Sequence, residues 1–168
     1  MDIRRCRDDE CATILVIINL AAEAYRGVIP PDRWHEPYMD MPQLKAEIAA
    51  GVAFWGLEEN GELIGVMGMQ RVRDVDLIRH AYVLPSRQRS GVGARLLRHL
   101  CTGTNRRTLI GTWAAASWAI DFYTRNGFQR VPFPKAAELL RSYWSIPDRQ
   151  VETSVVLASP PFEHVDAA

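Results

Sequence analysis

A basic, glycine-containing stretch is the part of the sequence best suited to bind a ligand. Residues 87–97 read RQRSGVGARLL and follow an apolar segment that ends in Leu84 and Pro85. The pattern predicts a strand, a short loop and a helix, whose first N–H groups have no partner within the helix. Such a helix N-terminus attracts anions, and Gly91 and Gly93 let a phosphate approach the backbone. Three arginines add positive charge, so the stretch predicts a bound phosphorylated cofactor.

The spacing of this stretch differs from that of two common phosphate-binding motifs. A P-loop requires Gly-x-x-x-x-Gly-Lys-Ser/Thr, which the sequence lacks. A dinucleotide-binding fingerprint requires a third glycine at the position of Leu96. What remains is Gln-x-x-Gly-x-Gly, formed by Gln88, Gly91 and Gly93. The alternative interpretation is an ordinary strand-to-helix turn that uses glycine only for its geometry.

A second segment narrows these alternatives. Residues 119–128 read AIDFYTRNGF, and their apolar positions recur at helical spacing up to a helix end at Gly127. Tyr123 lies on the apolar face, where a buried phenol still needs a partner for its hydroxyl. The glycine stretch and this segment, in this order and at this separation, resemble the two motifs of the GCN5-related N-acetyltransferase (GNAT) family.

The resemblance covers nearly the whole chain and implies a fold. The expected fold is the acyl-CoA N-acyltransferase fold, of the α/β (α+β) class, with a mixed, mostly antiparallel central sheet of about six to seven strands flanked by helices. The hydrophobic pattern gives the compatible order β-α-α-β-β-β-α-β-α-β-β. We expect a single N-acetyltransferase domain over 1–158 and a loose C-terminal tail over 159–168. Residues 132–149 are interrupted by prolines, and 150–157 are expected to close the sheet as an edge or terminal strand.

Composition places limits on partners and location. The chain has 168 residues and balances 20 basic against 20 acidic side chains, which argues against a broad nucleic-acid surface. Three cysteines without a CxxC pair suggest a reducing compartment and no metal site. The N-terminus lacks the layout of a signal peptide, and the apolar run over 12–22 is too short to span a bilayer. We expect a cytoplasmic protein without nucleic-acid or membrane partners. By analogy with relatives, the C-terminal strand could also pair across a homodimer interface.

The resemblance implies a reaction and a set of cofactor residues. The reaction is transfer of an acetyl group from acetyl-CoA, a co-substrate, to a primary amine of a small molecule or peptide, by direct attack on the thioester. Tyr123 corresponds to the tyrosine that protonates the departing thiolate. Ser117 lies beside Ala116, where many relatives carry an asparagine. The residues expected to contact the cofactor are Ala81, Tyr82, Val83, Gln88, Arg89, Ser90, Gly91, Val92, Gly93, Ala94, Ser117 and Tyr123.

The base that deprotonates the amine is left open by the sequence. The family often places a glutamate on the strand before the glycine stretch, and the corresponding residue here is Leu77. Strand alternation predicts that 77, 79, 81 and 83 share one face, with His80 on the opposite face. Glu36, His35, Asp76 or a water relay are the alternatives, with preference for a water relay or a residue of the 26–40 loop. The missing glutamate also motivates another interpretation, a non-catalytic acyl-CoA-binding regulatory module. A nucleotide-binding regulator is a third, resting on the glycine stretch alone.

The acceptor pocket is expected at the long, aromatic 26–40 loop. In the family the segment between the first two helices walls this pocket, and the prolines here indicate a loop or a broken helix. Trp34 and Tyr38 could equally cover the core. The candidate acceptor residues are Trp34, His35, Glu36, Tyr38 and Arg79.

Overall fold

A seven-stranded sheet organises the chain. The structure is a computed structural model that describes residues 1–160. The strands are β1 (Asp2–Arg5), β2 (Val52–Glu59), β3 (Glu62–Val72), β4 (Val75–Val83), β5 (Arg107–Trp113), β6 (Gln129–Arg130) and β7 (Ser154–Ala158). Their spatial order is β1-β2-β3-β4-β5-β7-β6, and every pairing is antiparallel except that of β4 with β5. The mixed, mostly antiparallel sheet is the one predicted.

Six α-helices cover the two faces of the sheet. They are α1 (Cys11–Ala22), α2 (Met41–Ala49), α3 (Val92–Thr102), α4 (Ser117–Arg125), α5 (Lys135–Tyr143) and α6 (Asp148–Glu152). The apolar stripe of α3 packs on one face of the sheet with Tyr123 of α4. On the other face, α1 and α2 cover the first strands and α5 covers β5 and β7. No helix within residues 1–160 is long and apolar enough to cross a membrane.

A β-bulge interrupts the pairing of β3 with β4. Gly68 pairs with Arg79 and Val66 pairs with Tyr82, so Met67 alone faces both His80 and Ala81. His80 has φ = 51°, a left-handed conformation that a non-glycine residue adopts only where the surroundings impose it. The predicted alternation therefore fails at this point. Ala81 packs with the α3 cluster, whereas Arg79 and His80 both contact Glu47 of α2.

The C-terminal third differs most from the sequence prediction. The region 132–149 contains α5, which begins directly after Pro134, because proline fits the first turn of a helix. Residues 148–152 form α6 and only 154–158 are extended. This strand is not at the edge, since it lies between β5 and β6 and its valines are buried. The strand is thus paired on both sides within the sheet, and the homodimer stays a prediction.

The first residue of the predicted tail is bound to the sheet. Ser159 continues the sheet, because its N–H donates to the Thr108 carbonyl at 2.9 Å and its Oγ accepts from the Thr108 N–H at 3.0 Å. The rest of the predicted tail, from residue 161, lies outside the described residues.

Candidate active site

The two central parallel strands separate halfway along their length. Pairing of β4 with β5 runs from Val75–Arg107 to Ile78–Ile110 and then ends, although both strands continue. The bulge at His80 begins just beyond the last pair, and its extra residue increases the local twist. Residues 79–83 thus have an edge facing β5 whose backbone groups are unpaired within the described sheet. An extended molecule can bind in this cleft by main-chain hydrogen bonds.

The turn between β4 and α3 presents a row of free donors. The N–H groups of residues 89–94 donate to no oxygen of the described residues, whereas the next one, of Arg95, donates to the Gly91 carbonyl at 3.0 Å. Gly91 begins the helix at φ = 84°, and Arg89 also has a positive φ of 62°. Consecutive N–H groups in such a turn form a concave anion site, reinforced by the helix dipole. A pyrophosphate fits this arrangement.

The two glycines of the turn serve different purposes. A Cβ on Gly91 would meet nothing within 4 Å, so this position requires glycine for its backbone conformation. A Cβ on Gly93 would lie 3.3 Å from the Phe122 ring, so this position brings α3 close to α4. The expectation that both glycines let a phosphate approach the backbone stays a prediction.

The arginines of the turn are only partly available to a ligand. Arg87 forms a 2.6 Å ion pair with Glu59, and Arg95 donates to the Met1 carbonyl at 3.1 Å. Gln88 donates from its side-chain amide to the Val83 carbonyl at 3.2 Å and fixes the start of the turn. Arg89 has no side-chain partner among the described residues and is exposed, so it is the arginine best placed to add charge.

Tyr123 is buried on the α3 side of the sheet. Its ring packs edge-on against Phe122 and Phe128, at centroid distances of 5.0 and 6.1 Å. Burial raises the pKa of its phenol far above the usual range, and the neighbouring Tyr25 and Cys101 raise this pKa further. Its hydroxyl makes no hydrogen bond to any residue of 1–160. A protonated donor without a partner is therefore held in the core beside the cleft.

Three phenols cover the cleft on the other face of the sheet. This tyrosine cluster consists of Tyr25, Tyr38 and Tyr82, with Tyr25 at 5.6 Å from Tyr38 and 6.4 Å from Tyr82 between ring centroids. Trp113 of β5 donates from Nε1 to the Tyr38 hydroxyl at 3.2 Å. Burial raises the pKa of Tyr82, and the nearby Tyr25 and Tyr38 phenols add to this rise. The cluster joins β4 to β5 across the gap. Sequence reasoning had assigned Tyr38 and Tyr82 to the site but not Tyr25.

The 26–40 loop divides into an inner and an outer part. Trp34 and Tyr38 are half-buried and lie 5.6 Å apart, so they face the cleft. His35 and Glu36 are exposed, and Glu36 pairs with Arg26 at 2.6 Å on the outer surface. Of the four candidate acceptor residues in this loop, the two aromatic ones lie at the tyrosine cluster and the two ionisable ones lie outside it. The N-terminal residue of α4, Ser117, is exposed and has no side-chain partner among residues 1–160.

Two positions discussed in connection with the base, 76 and 77, lie in the part of β4 that is still paired with β5. Leu77 is fully buried in the cluster beneath α5, so a carboxylate at this position would lie in the core. Asp76 is buried as well and accepts from Arg106 Nε at 2.9 Å. This ion pair ties β4 to the start of β5, a structural role.

A charged group that sequence reasoning missed lies at the bulge. Glu47 of α2 contacts Arg79 Nη2 at 3.0 Å and His80 Nε2 at 3.3 Å through the same oxygen, Oε2. Burial raises the pKa of Glu47, but contact with His80 and the charge of Arg79 outweigh this and lower the pKa below its usual value. Arg79 also donates to Gln70 at 2.8 Å, so its guanidinium is already bonded. No sequence signal connected position 47 to position 80, because the contact depends on the bulge.

Two cavities lie elsewhere on the molecule. One, of about 410 Å³, is next to Phe133, and the other, of about 420 Å³, lies between Cys101 and Asn126. Neither is lined by the glycine turn or by the tyrosine cluster. Within residues 1–160, no three His, Cys, Asp or Glu side chains are grouped so that they could hold a metal ion.

The fold is shared with structurally characterised acetyltransferases. The structure of the PaiA N-acetyltransferase from Thermoplasma acidophilum, in complex with coenzyme A, matches with a TM-score of 0.71 at 16% identity, over 94% of this chain and 97% of that chain. The ribosomal-protein-S18-alanine N-acetyltransferase from Escherichia coli matches with 0.62 at 17% identity, over 94% and 92%. N-acetylglutamate synthase from Neisseria gonorrhoeae, complexed with coenzyme A and N-acetyl-glutamate, matches with 0.64 at 20% identity, over 94% of this chain and 34% of that chain.

The separated strands, the free-amide turn and these matches define the acyl-CoA N-acyltransferase fold. Residues 50–130 match the sequence model of the acetyltransferase (GNAT) domain. This match is the one that the two sequence motifs predicted, and it identifies a GNAT acetyltransferase domain over residues 50–130.

Proposed function

We propose that this protein transfers the acetyl group of acetyl-CoA to a primary amine, by direct attack of the amine on the thioester. The observation that carries the proposal is the position of the free-amide turn at the open end of the β4–β5 cleft. The turn supplies donors for a pyrophosphate, and the unpaired edge of residues 79–83 supplies main-chain groups for an extended pantetheine arm. In coenzyme A a pyrophosphate is joined to the pantetheine arm, in the same order as the turn and the unpaired strand edge.

The residues available at the two faces of the cleft suit two separate proton transfers. Tyr123 lies on the α3 side and keeps its proton, because burial raises its pKa. It can donate to a thiolate as the carbon–sulfur bond breaks. The α1 and α2 side holds the tyrosine cluster and the polar group at the bulge, where an amine would approach. An N–H of the unpaired edge of β4 can bind the developing oxyanion.

The acceptor is proposed to be an amine on a small molecule or a peptide. Trp34, Tyr38 and Tyr82 offer aromatic surface to the acceptor, and an ammonium group is attracted to such surface. Arg79 is held by Glu47, so it adds no free positive charge that would repel a cationic substrate. The exposed His35 and Glu36 could contact only the outer part of a larger acceptor.

The competing interpretation is a non-catalytic acyl-CoA-binding module, and the observation behind it is that Leu77 replaces a glutamate. The structure weakens this argument. Because position 77 is buried beneath α5 and lies before the cleft, the absence of a carboxylate there does not remove a group from the cleft.

Ligand-dependent thermal melting tests the donor half of the proposal. A ligand that binds only the native state raises the melting temperature by mass action. We expect coenzyme A and acetyl-CoA to raise it, and ATP and NAD to leave it unchanged. A preference for ATP or NAD over coenzyme A would overturn the donor assignment and favour a nucleotide-binding regulator.

A further inference from the structure

We infer that His80, positioned by Glu47, accepts the proton that the acceptor amine loses before it attacks. The inference rests on the proposed acetyl transfer and names a base that the sequence left open. It follows from the bulge in β4, which turns the His80 side chain to the same face as Arg79 and toward α2. Regular alternation would have placed His80 on the α3 side.

Ring stacking and an uncommon backbone conformation both constrain the His80 side chain. Its ring stacks on Phe54 of β2 at 5.9 Å between centroids, with 24° between the planes. Its backbone has φ = 51°, which is uncommon for a non-glycine residue and forms part of the bulge. An isolated histidine that merely filled a gap in the core would not require this conformation.

The two ring nitrogens have different surroundings. Nε2 is fully enclosed and lies 3.3 Å from Glu47 Oε2, at an angle that does not make a hydrogen bond. Nδ1 is not among the enclosed, unpartnered atoms and bonds to no residue of 1–160. A carboxylate beside Nε2 stabilises the tautomer with its proton on Nε2, so Nδ1 keeps a lone pair and is open to a bound amine.

The charged groups that face His80 are few. From α2 there is Glu47, and from β4 there is Arg79, which shares that carboxylate. From β2 the ring meets Phe54, from β3 the neighbouring polar residue is Gln70, and the buried face of α1 carries only isoleucine and alanine. Glu47 is therefore the one carboxylate that contacts the His80 ring among residues 1–160, and it is shared with Arg79.

The proton balance of the reaction is complete with these groups. Nδ1 takes one proton from the ammonium form of the acceptor, and the freed lone pair of nitrogen forms the new bond to the acetyl carbon. The carbon–sulfur bond breaks with its electron pair on sulfur, and the thiolate takes the proton of Tyr123. The nitrogen, now bonded to carbon, loses its second proton, which restores Tyr123 through solvent, and His80 releases its proton to solvent. The net products are an amide, coenzyme A as the thiol and one proton.

The test is the pH dependence of kcat/KM for one acceptor amine, measured with wild type, His80→Gln, Glu47→Gln and Glu47→Asp. We expect His80→Gln to lose at least 100-fold in kcat/KM and to lose the rising limb of the profile, because general base catalysis contributes about 10²–10⁴-fold. Glu47→Gln should lose less activity than His80→Gln, since it keeps the ring but removes the carboxylate that orients it. Glu47→Asp keeps a carboxylate and should restore part of the lost activity. The same acceptor is used throughout, so ionisation of the free amine is common to all profiles.

Two control variants and the wild type separate the possible failures. His99→Gln on α3 and Glu138→Gln on α5 change exposed side chains away from the cleft and should leave the profile unchanged. Wild-type turnover with an unaltered profile in His80→Gln would overturn this inference and leave the proposed function standing. No wild-type turnover with any amine would overturn both. If His80→Gln does not fold, a wild-type kcat/KM in folded Glu47→Gln overturns the role of the pair.

Discussion

Tyr123 differs from Tyr38 and Tyr143 in that its hydroxyl makes no hydrogen bond to any residue of 1–160. Tyr38 accepts a hydrogen bond from Trp113, and Tyr143 donates to Asp74 at 2.8 Å. Sequence reasoning predicted the position of Tyr123 and its need for a partner. It did not predict the extent of the burial, which raises the pKa of this phenol.

The variant Tyr123→Phe should lower kcat by about 10²-fold or more, because it removes the proton donor for the thiolate. The ring contacts with Phe122 and Phe128 are kept, so the melting temperature should change little. The matched control is Tyr143→Phe, which removes a phenol hydroxyl remote from the cleft. Steady-state assays of thiol release measure both variants. Equal rates for Tyr123→Phe and wild type would contradict the assigned role.

Gly91 is a second residue at which an effect on ligand binding can be separated from an effect on stability. Gly91→Ala forces a Cβ into a left-handed conformation and should cost about 1–2 kcal/mol of stability. It should also weaken coenzyme A binding, because the free donors of the turn depend on this conformation. Gly61→Ala in the β2–β3 hairpin is a matched control, since Gly61 has the same φ of 84° and equally open surroundings. Calorimetric titration should show weaker binding for Gly91→Ala alone. An equal loss in both variants would mean that the turn does not bind the ligand.

At the scale of elements, the hydrophobic pattern predicted the order of the α-helices and strands as far as β6. The C-terminal elements were harder, because Pro132, Pro134 and Pro147 read as interruptions and two of them instead precede helices. The placement of β7 between β5 and β6 depends on long-range pairing that no local pattern encodes. The same is true of the bulge, since strand alternation is a local rule and the bulge is set by the pairing of β3 with β4.

The helix α2 positions Glu47, and two local interactions fix its start. Asp40 caps the helix by accepting from the Gln43 N–H at 2.8 Å, and Asn19 of α1 makes two 2.9 Å hydrogen bonds to the backbone of Met39. These bonds connect the end of the 26–40 loop to the core. The α2 side of the cleft therefore depends on hydrogen bonds that lie outside the cleft.

The capping bond of α2 can be tested by substitution. Asp40→Ala should lower the free energy of unfolding by about 1 kcal/mol, because one N–H at the helix start loses its partner. Asp40→Ser keeps an oxygen at this position and should retain most of the stability. Urea denaturation of both variants provides the measurement. A loss in Asp40→Ser as large as that in Asp40→Ala would show that the cap does not stabilise α2.

At the scale of the whole molecule, one ion-pair network holds the N-terminal strand to the sheet. Glu10 accepts from Arg4 at 2.7 and 2.9 Å and from the Arg7 N–H at 2.7 Å, and Arg4 also pairs with Glu58 of β2. The bonds from Arg4 are the main cause that lowers the pKa of Glu10 to about 2, in spite of its burial. The sequence showed the charges of this segment but not their pairing, because Arg4 and Glu58 are far apart along the chain.

This network predicts a pH dependence of stability. The pKa of Glu10 is lower in the folded than in the unfolded state, so its contribution is complete above pH 4.5 and is lost as the pH falls toward 2. The contribution at neutral pH is up to about 3 kcal/mol, from about 1.4 kcal/mol for each unit of pKa difference. Glu10→Gln should therefore be less stable than wild type at pH 7 and converge with it near pH 2. The exposed Glu138→Gln serves as the control in urea unfolding across this range. A constant difference between Glu10→Gln and wild type from pH 7 to 2 would contradict the assignment.

At the scale of the whole molecule, the proposed function places the donor and the acceptor on the two sides of one sheet and predicts a kinetic mechanism. Direct attack of an amine on the thioester requires that both substrates be bound before reaction. The most direct measurement is the initial rate of coenzyme A thiol release over a matrix of acetyl-CoA and amine concentrations, with the acetylated amine identified by mass. We predict amine-dependent release and double-reciprocal plots that intersect. Saturable binding of acetyl-CoA without amine-dependent release, or parallel lines, would contradict direct acetyl transfer to an amine.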